Sequence, residues 1–266
     1  MTARNREAPP GADDPLLASL DRSQFDELWL FALDNGEGMT AADCGGIAKF
    51  RRRGGGILAT RDHQDMGSSL CTLGGIGAAH HFHSRNLDPD AERHAPDDRE
   101  TPSISWPNYH SGRNGDFQRI IPVEPPHELL RKGPTSSGLI EFFPAHPHEG
   151  SVGVPPGEDK ARVLARRTSL TTGRPFNLVV AFDRSRDADG NLLGRGVAES
   201  SFHHFADYNW DTSHGGPFLR NGTGGERHED GPAGAPGYQA IRTQSGVLAR
   251  SFRSLTAARG VWPGSR

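Results

Sequence analysis

Thirteen histidines stand in the chain. They gather in polar segments that follow apolar runs: His63; His80, His81 and His83; His146 and His148; His203 and His204. Imidazole changes charge near neutral pH and ligates first-row metals, so such groups point to acid–base or metal chemistry. The best placed is Arg61-Asp62-His63-Gln64-Asp65. Ile57-Leu58-Ala59-Thr60 before it reads as a short strand buried on both faces, and Gly67 to Leu73 beyond it reads as a short helix. Open α/β sheets bind ligands at the carboxyl ends of their strands. A helix N-terminus there offers free N–H groups to an oxyanion. His63 in this turn can act as acid, base or ligand, with Asp62 or Asp65 to orient it. A polar turn that merely caps the helix is the plainer alternative.

Three further groups carry weaker signals. In His146-Pro147-His148-Glu149-Gly150, histidines two apart on an extended chain face the same side. That pair suits a divalent transition metal, or it is a proline turn with exposed histidines. At the end of a strand near Phe202, adjacent residues point opposite ways. At most one of His203 and His204 then enters a given site, with Asp207 or Asp211 as partner, and the other is a core histidine. His80-His81-Phe82-His83 either ligates metal or is surface material behind Gly74–Gly77. The two cysteines, Cys44 and Cys71, form no zinc spacing and neither sits at the turn where N–H groups would activate a thiol. They read as packing residues.

These groups need elements to hold them. Phe25–Leu33 reads as a buried strand, broken by Asp34-Asn35-Gly36. Thr40 with Asp43 forms a capping box for a helix reaching about Arg53, whose apolar positions Ile47 and Phe50 are three apart. Gly54-Gly55-Gly56 ends it. Strand, helix and strand make a βαβ unit with parallel strands. Later strands are expected at Arg162–Arg167, Phe176–Phe182 and Gly196–Phe202, with a turn at 187–191. No helix-length crossover separates them, so this part is expected to be antiparallel. Residues 84–135 form a long irregular connection. Residues 238–258 suit a final amphipathic helix.

Composition narrows the function classes. The 34 glycines and 20 prolines, with 33% hydrophobic residues, suit a compact core carrying long irregular connections. The formal charge is −3, and the longest basic run, Arg51-Arg52-Arg53, reads as a solvated helix C-terminus. Nucleic-acid binding has no electrostatic footprint here. No apolar stretch of ~18 residues and no signal-peptide core occur, so a cytoplasmic protein without a membrane span is expected.

Gly54 through Asp65, His146-Pro147, and Gly194-Arg195-Gly196 leading to His203 together resemble the ThuA-like (trehalose utilisation) family of the class I glutamine amidotransferase-like proteins, over residues 25–211. The resemblance implies an α/β fold, a flavodoxin-like three-layer sandwich with a mostly parallel sheet. It divides the chain into a polar leader (1–24), the ThuA-like domain (25–211) and a Gly/Pro-rich loop with a C-terminal helix (212–266). The leader holds no apolar strand, so the sheet is expected to be incomplete at the N-terminus. The superfamily's nucleophile is a cysteine at the elbow. This chain has Thr60 to His63 there, which argues against cysteine-dependent glutamine hydrolysis. The expected function is a small-molecule enzyme for a polar or sugar-derived substrate, with His63 as general acid/base, Asp62 its orienting partner, and His146 and His203 as secondary catalytic groups. A metal-dependent hydrolase or lyase stands as an alternative, with His63, His148 and His204 (or His203) on a divalent transition metal. So does a non-catalytic ligand-binding domain in which Trp106, Tyr109 and Trp210 stack on a sugar.

Overall fold

The computed structural model describes residues 2–94, 117–131, 137–145, 149–206 and 209. The expected helix over 238–258 lies outside these residues. The polar leader forms α1 (Pro15–Ala18), capped by Asp14 Oδ1, which accepts from the N–H groups of Leu16 at 2.9 Å and Leu17 at 3.1 Å. Strand β1 (Glu27–Phe31) follows, then helix α2 (Ala41–Arg52) and strand β2 (Gly56–Thr60). Thr40 Oγ1 accepts from the Asp43 N–H and Asp43 Oδ2 accepts from the Thr40 N–H, both at 3.2 Å. Gly54 then ends the helix at φ +94°, a conformation glycine reaches without steric cost. The crossover makes β1 and β2 parallel, Glu27 opposite Gly56 through Phe31 opposite Thr60.

The leader is fastened to α2. Gly46 allows the close approach, since a Cβ there would lie 2.1 Å from the Leu17 carbonyl oxygen. Buried Asp43 completes the joint: Oδ1 accepts from the Asp14 N–H at 2.8 Å, and Oδ2 pairs with Arg6 at 3.0 Å.

The remaining strands are β3 (His80–His81), β4 (Phe117–Arg119), β5 (Ile121–Pro122), β6 (Phe142–Pro144), β7 (Ser151–Val152), β8 (Ala161–Thr168), β9 (Pro175–Phe182), β10 (Ser185–Arg186), β11 (Leu192–Leu193) and β12 (Gly196–Glu199). The main sheet has six strands in the order β1-β2-β12-β9-β8-β5, and β3–β7, β4–β6 and β10–β11 form three two-stranded ribbons. β1, β2 and β12 run parallel, while β12–β9, β9–β8 and β8–β5 are antiparallel.

This corrects the flavodoxin-like, mostly parallel sandwich expected from the family resemblance. A parallel neighbour needs a crossover of about a dozen residues or more, usually a helix, and α2 supplies one. β8 and β9 are joined instead by a tight turn, with the Ser169 N–H on the Arg174 carbonyl at 2.8 Å and Gly173 at φ +73°. β9 reaches β12 through the β10–β11 hairpin. The sheet is therefore mixed. Among the described residues α2 is the only α-helix longer than four residues. No helix among them is long and apolar enough to cross a membrane.

Side chains alternate across the sheet. Ile57, Ala59, Val180 and Phe182 pack with Ile47 and Phe50 of α2 and with Leu17 and Leu20 of the leader. Leu58, Val179, Ala181 and Val197 face the other way, onto Leu129, Leu130, Ile140 and Phe143 from loops and ribbons. A helix layer thus covers one face, and irregular chain covers the other.

Candidate active site at the carboxyl ends of the parallel strands

Because β1, β2 and β12 run in one direction, their carboxyl ends share one edge of the sheet. From β2 the chain leaves as Arg61-Asp62-His63, and from β12 as Ser200 through His204. Arg61 is fully buried and holds the first of these exits in shape. Its Nε donates to the Asp62 carbonyl at 2.6 Å, Nη1 to the His81 carbonyl and Nη2 to the Gln64 carbonyl. Its guanidinium lies 4.0 Å from the centre of the Phe82 ring. Gly150 makes room for it, since a Cβ there would stand 2.7 Å from Arg61 Nε. Gln64 sits at φ +47°, which residues with a Cβ seldom adopt. The bond from Arg61 to its carbonyl helps to hold it there.

Asp62 is the meeting point of the two exits. Oδ1 accepts from the backbone N–H of His63 at 2.8 Å. Oδ2 stands 3.7 Å from Nε2 of His203. Both residues are largely withdrawn from water, 6% and 5% exposed. Burial by itself raises the Asp62 carboxyl, but the His203 ring and the nearby His63 outweigh it and hold the group below the ordinary carboxylate range. On the far side of the ring, the Asn209 amide nitrogen lies 3.4 Å from His203 Nδ1 and donates to the His203 carbonyl at 2.9 Å. In the tautomer where Asn209 donates to Nδ1, the ring proton sits on Nε2, toward Asp62. The ring facing the Asp62 carboxylate is therefore that of His203, while His63 bonds Asp62 through its backbone.

His204 turns the other way. Phe202–Phe205 is a 3₁₀ turn, started by Ser201 Oγ, which accepts from the His203 N–H at 3.3 Å. Successive side chains of such a turn diverge by about 120°, so His203 and His204 reach different neighbours. His204 Nδ1 lies 2.8 Å from Glu199 Oε2 and Nε2 lies 2.9 Å from Glu149 Oε1. Glu149 also accepts from Ser200 Oγ at 2.7 Å and from Gln118 Nε2 at 2.7 Å. All three ionisable groups are buried. Burial opposes the charge on His204, but the Glu149 and Glu199 carboxylates on either side push its pKa up to about 10. Burial also opposes the charge on Glu149. There the His204 charge and the hydrogen bonds from His204, Ser200 and Gln118 prevail and lower it. Burial wins at Glu199, which is raised. At neutral pH this is an imidazolium clamped by two carboxyl groups.

The other residues singled out in the sequence are dispersed. The segment after the turn is a 3₁₀ helix, Ser68–Leu73, entered through Gly67 at φ +90° with no side-chain cap. It replaces the expected helix N-terminus and removes the anion site argued from it. His80 is buried in the core, His81 Nδ1 lies 3.1 Å from the Asn86 carbonyl, and His83 is half-exposed, 3.9 Å from Asp65. His146 and His148, with Trp106, Tyr109, Asp207, Trp210 and Asp211, lie outside the described residues. Among the described residues no three His, Cys, Asp or Glu side chains are grouped to hold a metal ion. Burial pushes both thiols up; Cys44 lies 3.4 Å from Thr72 Oγ1, and Cys71 bonds the Ser68 carbonyl at 3.0 Å.

Sequence reasoning missed Glu199, Gln118 and Asn209 as neighbours of these histidines. Glu199 alone left a trace: a carboxylate closing the apolar strand Gly196–Glu199 is costly unless paired. Gln118 comes from a distant strand that only the fold brings close, while Asn209 lies six residues beyond His203. No family model, curated protein or solved structure matches the chain.

Proposed function

We propose that the protein is a small-molecule enzyme in which Asp62 and His203 act as an acid–base pair on a polar, hydroxyl-bearing substrate. One observation carries this reading: a carboxylate held below its ordinary range faces the imidazole Nε2 of His203 at 3.7 Å, at the ends of two adjacent parallel strands. That gap exceeds the N–H···O hydrogen-bond range. A substrate or water oxygen about 2.8 Å from each group would bridge the pair. Asp62 takes the proton of that hydroxyl and passes it to the departing oxygen, while the His203 Nε2–H stabilises the developing negative charge by hydrogen bonding. Hydrolysis or elimination follows from that exchange. His63 borders the same carboxylate from the β2 side.

The motif resemblance to ThuA-like proteins supplies the substrate class, polar or sugar-derived. The site chemistry supplies the reaction class. A thiol mechanism gains no support, because both cysteines lie off the turn with thiols raised by burial.

The test is turnover of a panel of sugars, sugar acids and their esters by the full chain, followed by NMR of the mixture. Asp62→Asn and His203→Gln are each expected to lower turnover by about 10²–10⁴-fold while folding normally. A folded His203→Gln variant with unchanged turnover would sink the proposal.

A further inference from the structure

At the amino end of β2, on the opposite edge of the sheet from Asp62, lies a cleft of about 270 Å³. Its floor is apolar, from Ile47, Ile57 and Ile76. Its charged lining comprises Arg51, Arg52, Glu158 and Asp187, two of each sign. Arg52 and Asp187 already pair, at 3.5 Å. Arg51 and Glu158 are in no ion pair among the described residues.

Arg51 was expected to be a solvated end of α2. It is instead 7% exposed and built into the cleft wall. Nε donates to the Gly194 carbonyl at 3.1 Å, and the guanidinium carbon lies 5.4 Å from the Phe182 ring centre. Nη2 is covered and has no hydrogen-bond partner among the described residues. Gly75, at φ +48°, lies in front of it: a Cβ there would stand 2.7 Å from Arg51 Nη1 and 3.6 Å from Glu158 Oε1. A cation and an anion thus reach the same point of the cleft, without meeting, above an apolar floor.

We propose that this cleft is a binding site for a small zwitterion with an apolar body, of the α-amino acid class. The ligand carboxylate meets the Arg51 guanidinium, its ammonium meets Glu158, and its side chain lies on Ile47, Ile57 and Ile76. The balanced lining disfavours phosphate esters, since Glu158 and Asp187 would repel a dianion. The volume suits a metabolite smaller than the usual drug-sized ligand.

The test uses the full chain and three probes in calorimetric titration: L-leucine, 4-methylpentanoate, which lacks the ammonium, and 3-methylbutylamine, which lacks the carboxylate. L-leucine is expected to bind saturably, and each analogue at least tenfold more weakly. Glu158→Gln, a change on a part-exposed side chain, is expected to weaken L-leucine about fivefold and to leave 4-methylpentanoate unweakened. Arg51→Met is expected to abolish binding of L-leucine. If that variant does not fold, Glu158→Gln decides alone. No saturable binding of L-leucine below ~10 mM, equal binding of L-leucine and 4-methylpentanoate, or an unchanged affinity in Glu158→Gln each overturns the proposal.

Discussion

Replacing His204 by glutamine removes the one positive charge between Glu149 and Glu199 while nearly preserving volume. The wild-type ring is raised from 6.5 to about 10 in full burial, which corresponds to about 5 kcal/mol of differential stabilisation. Breaking a buried ion pair by deleting one partner costs about 3–5 kcal/mol, because the remaining charge is stranded. Both routes give the same size. For a raised imidazole the stabilisation is fully present below pH 6.5 and is lost as the pH climbs through about 10. In the variant the two carboxyls, deprived of their counter-charge, are pushed up in the folded state. That penalty is present near neutral pH and relieved as they protonate in acid. Urea denaturation by circular dichroism at pH 5, 7 and 9 should therefore show the largest loss at pH 7, about 3–5 kcal/mol, and a smaller one at pH 5. The corresponding fall in Tm is roughly 6–20 °C for a domain of this size. Glu199→Gln should be milder than His204→Gln, because burial already pushes that carboxyl toward its neutral form. A loss below about 1 kcal/mol at pH 7, or one that is the same at pH 5, refutes the reading of His204 as a clamped imidazolium.

Two other perturbations probe the frame around the site. Gly46→Val places methyl groups where even a Cβ would be 2.1 Å from the Leu17 carbonyl; it should lift α1 from α2, cost about 1–3 kcal/mol and open the leader to limited proteolysis. His80 is buried with neither ring nitrogen hydrogen-bonded among the described residues, and burial lowers its pKa well below 6.5, helped by the Arg61 charge. The unfolded chain then takes up this proton first, so wild-type stability falls as the pH drops below 6.5. His80→Gln should flatten that acid limb of the urea midpoint between pH 4 and 6.5, and an unchanged limb would contradict it.

The local features of the first half were legible because short-range chemistry writes them. Thr40 and Asp43 announce the capping box, and Gly54 supplies the left-handed residue that ends α2. The strand–helix–strand order fixed the parallel pairing of β1 and β2. The turn Arg61-Asp62-His63 was legible as the polar exit from β2 for the same reason, since it follows a five-residue strand buried throughout. The antiparallel pairing of β8, β9 and β12 was legible from their short connections, but the joining of both halves into one mixed sheet was not. Its mixed character depends on how β9 and β12 return, and a family resemblance carried by short motifs overrode the absence of crossover helices. Partners were harder still. Asp62 and His203 are 141 positions apart, and Gln118 and Glu149, which meet His204, come from strand β4 and a separate loop. Spacing along the chain holds no record of such meetings. Arg51 was misread for a related reason: a basic run at a helix end suits the dipole in water, and only the approach of Gly194 and Phe182 buries it.

The strand order β1-β2-β12-β9-β8-β5 also governs the timing of assembly. The βαβ unit of β1 and β2 and the hairpin of β8 and β9 are each local, and each can form as the ribosome delivers it. The strand that joins them, β12, is among the last described segments to be made. Until Gly196–Glu199 emerges, β2 and β9 are two open edges with nothing between them. The same short strand carries Glu199 and leads directly into His203 and His204. Closure of the core and arrival of the imidazoles are thus one event, after both halves of the sheet have been made, and the nascent chain remains vulnerable to mispairing until it happens.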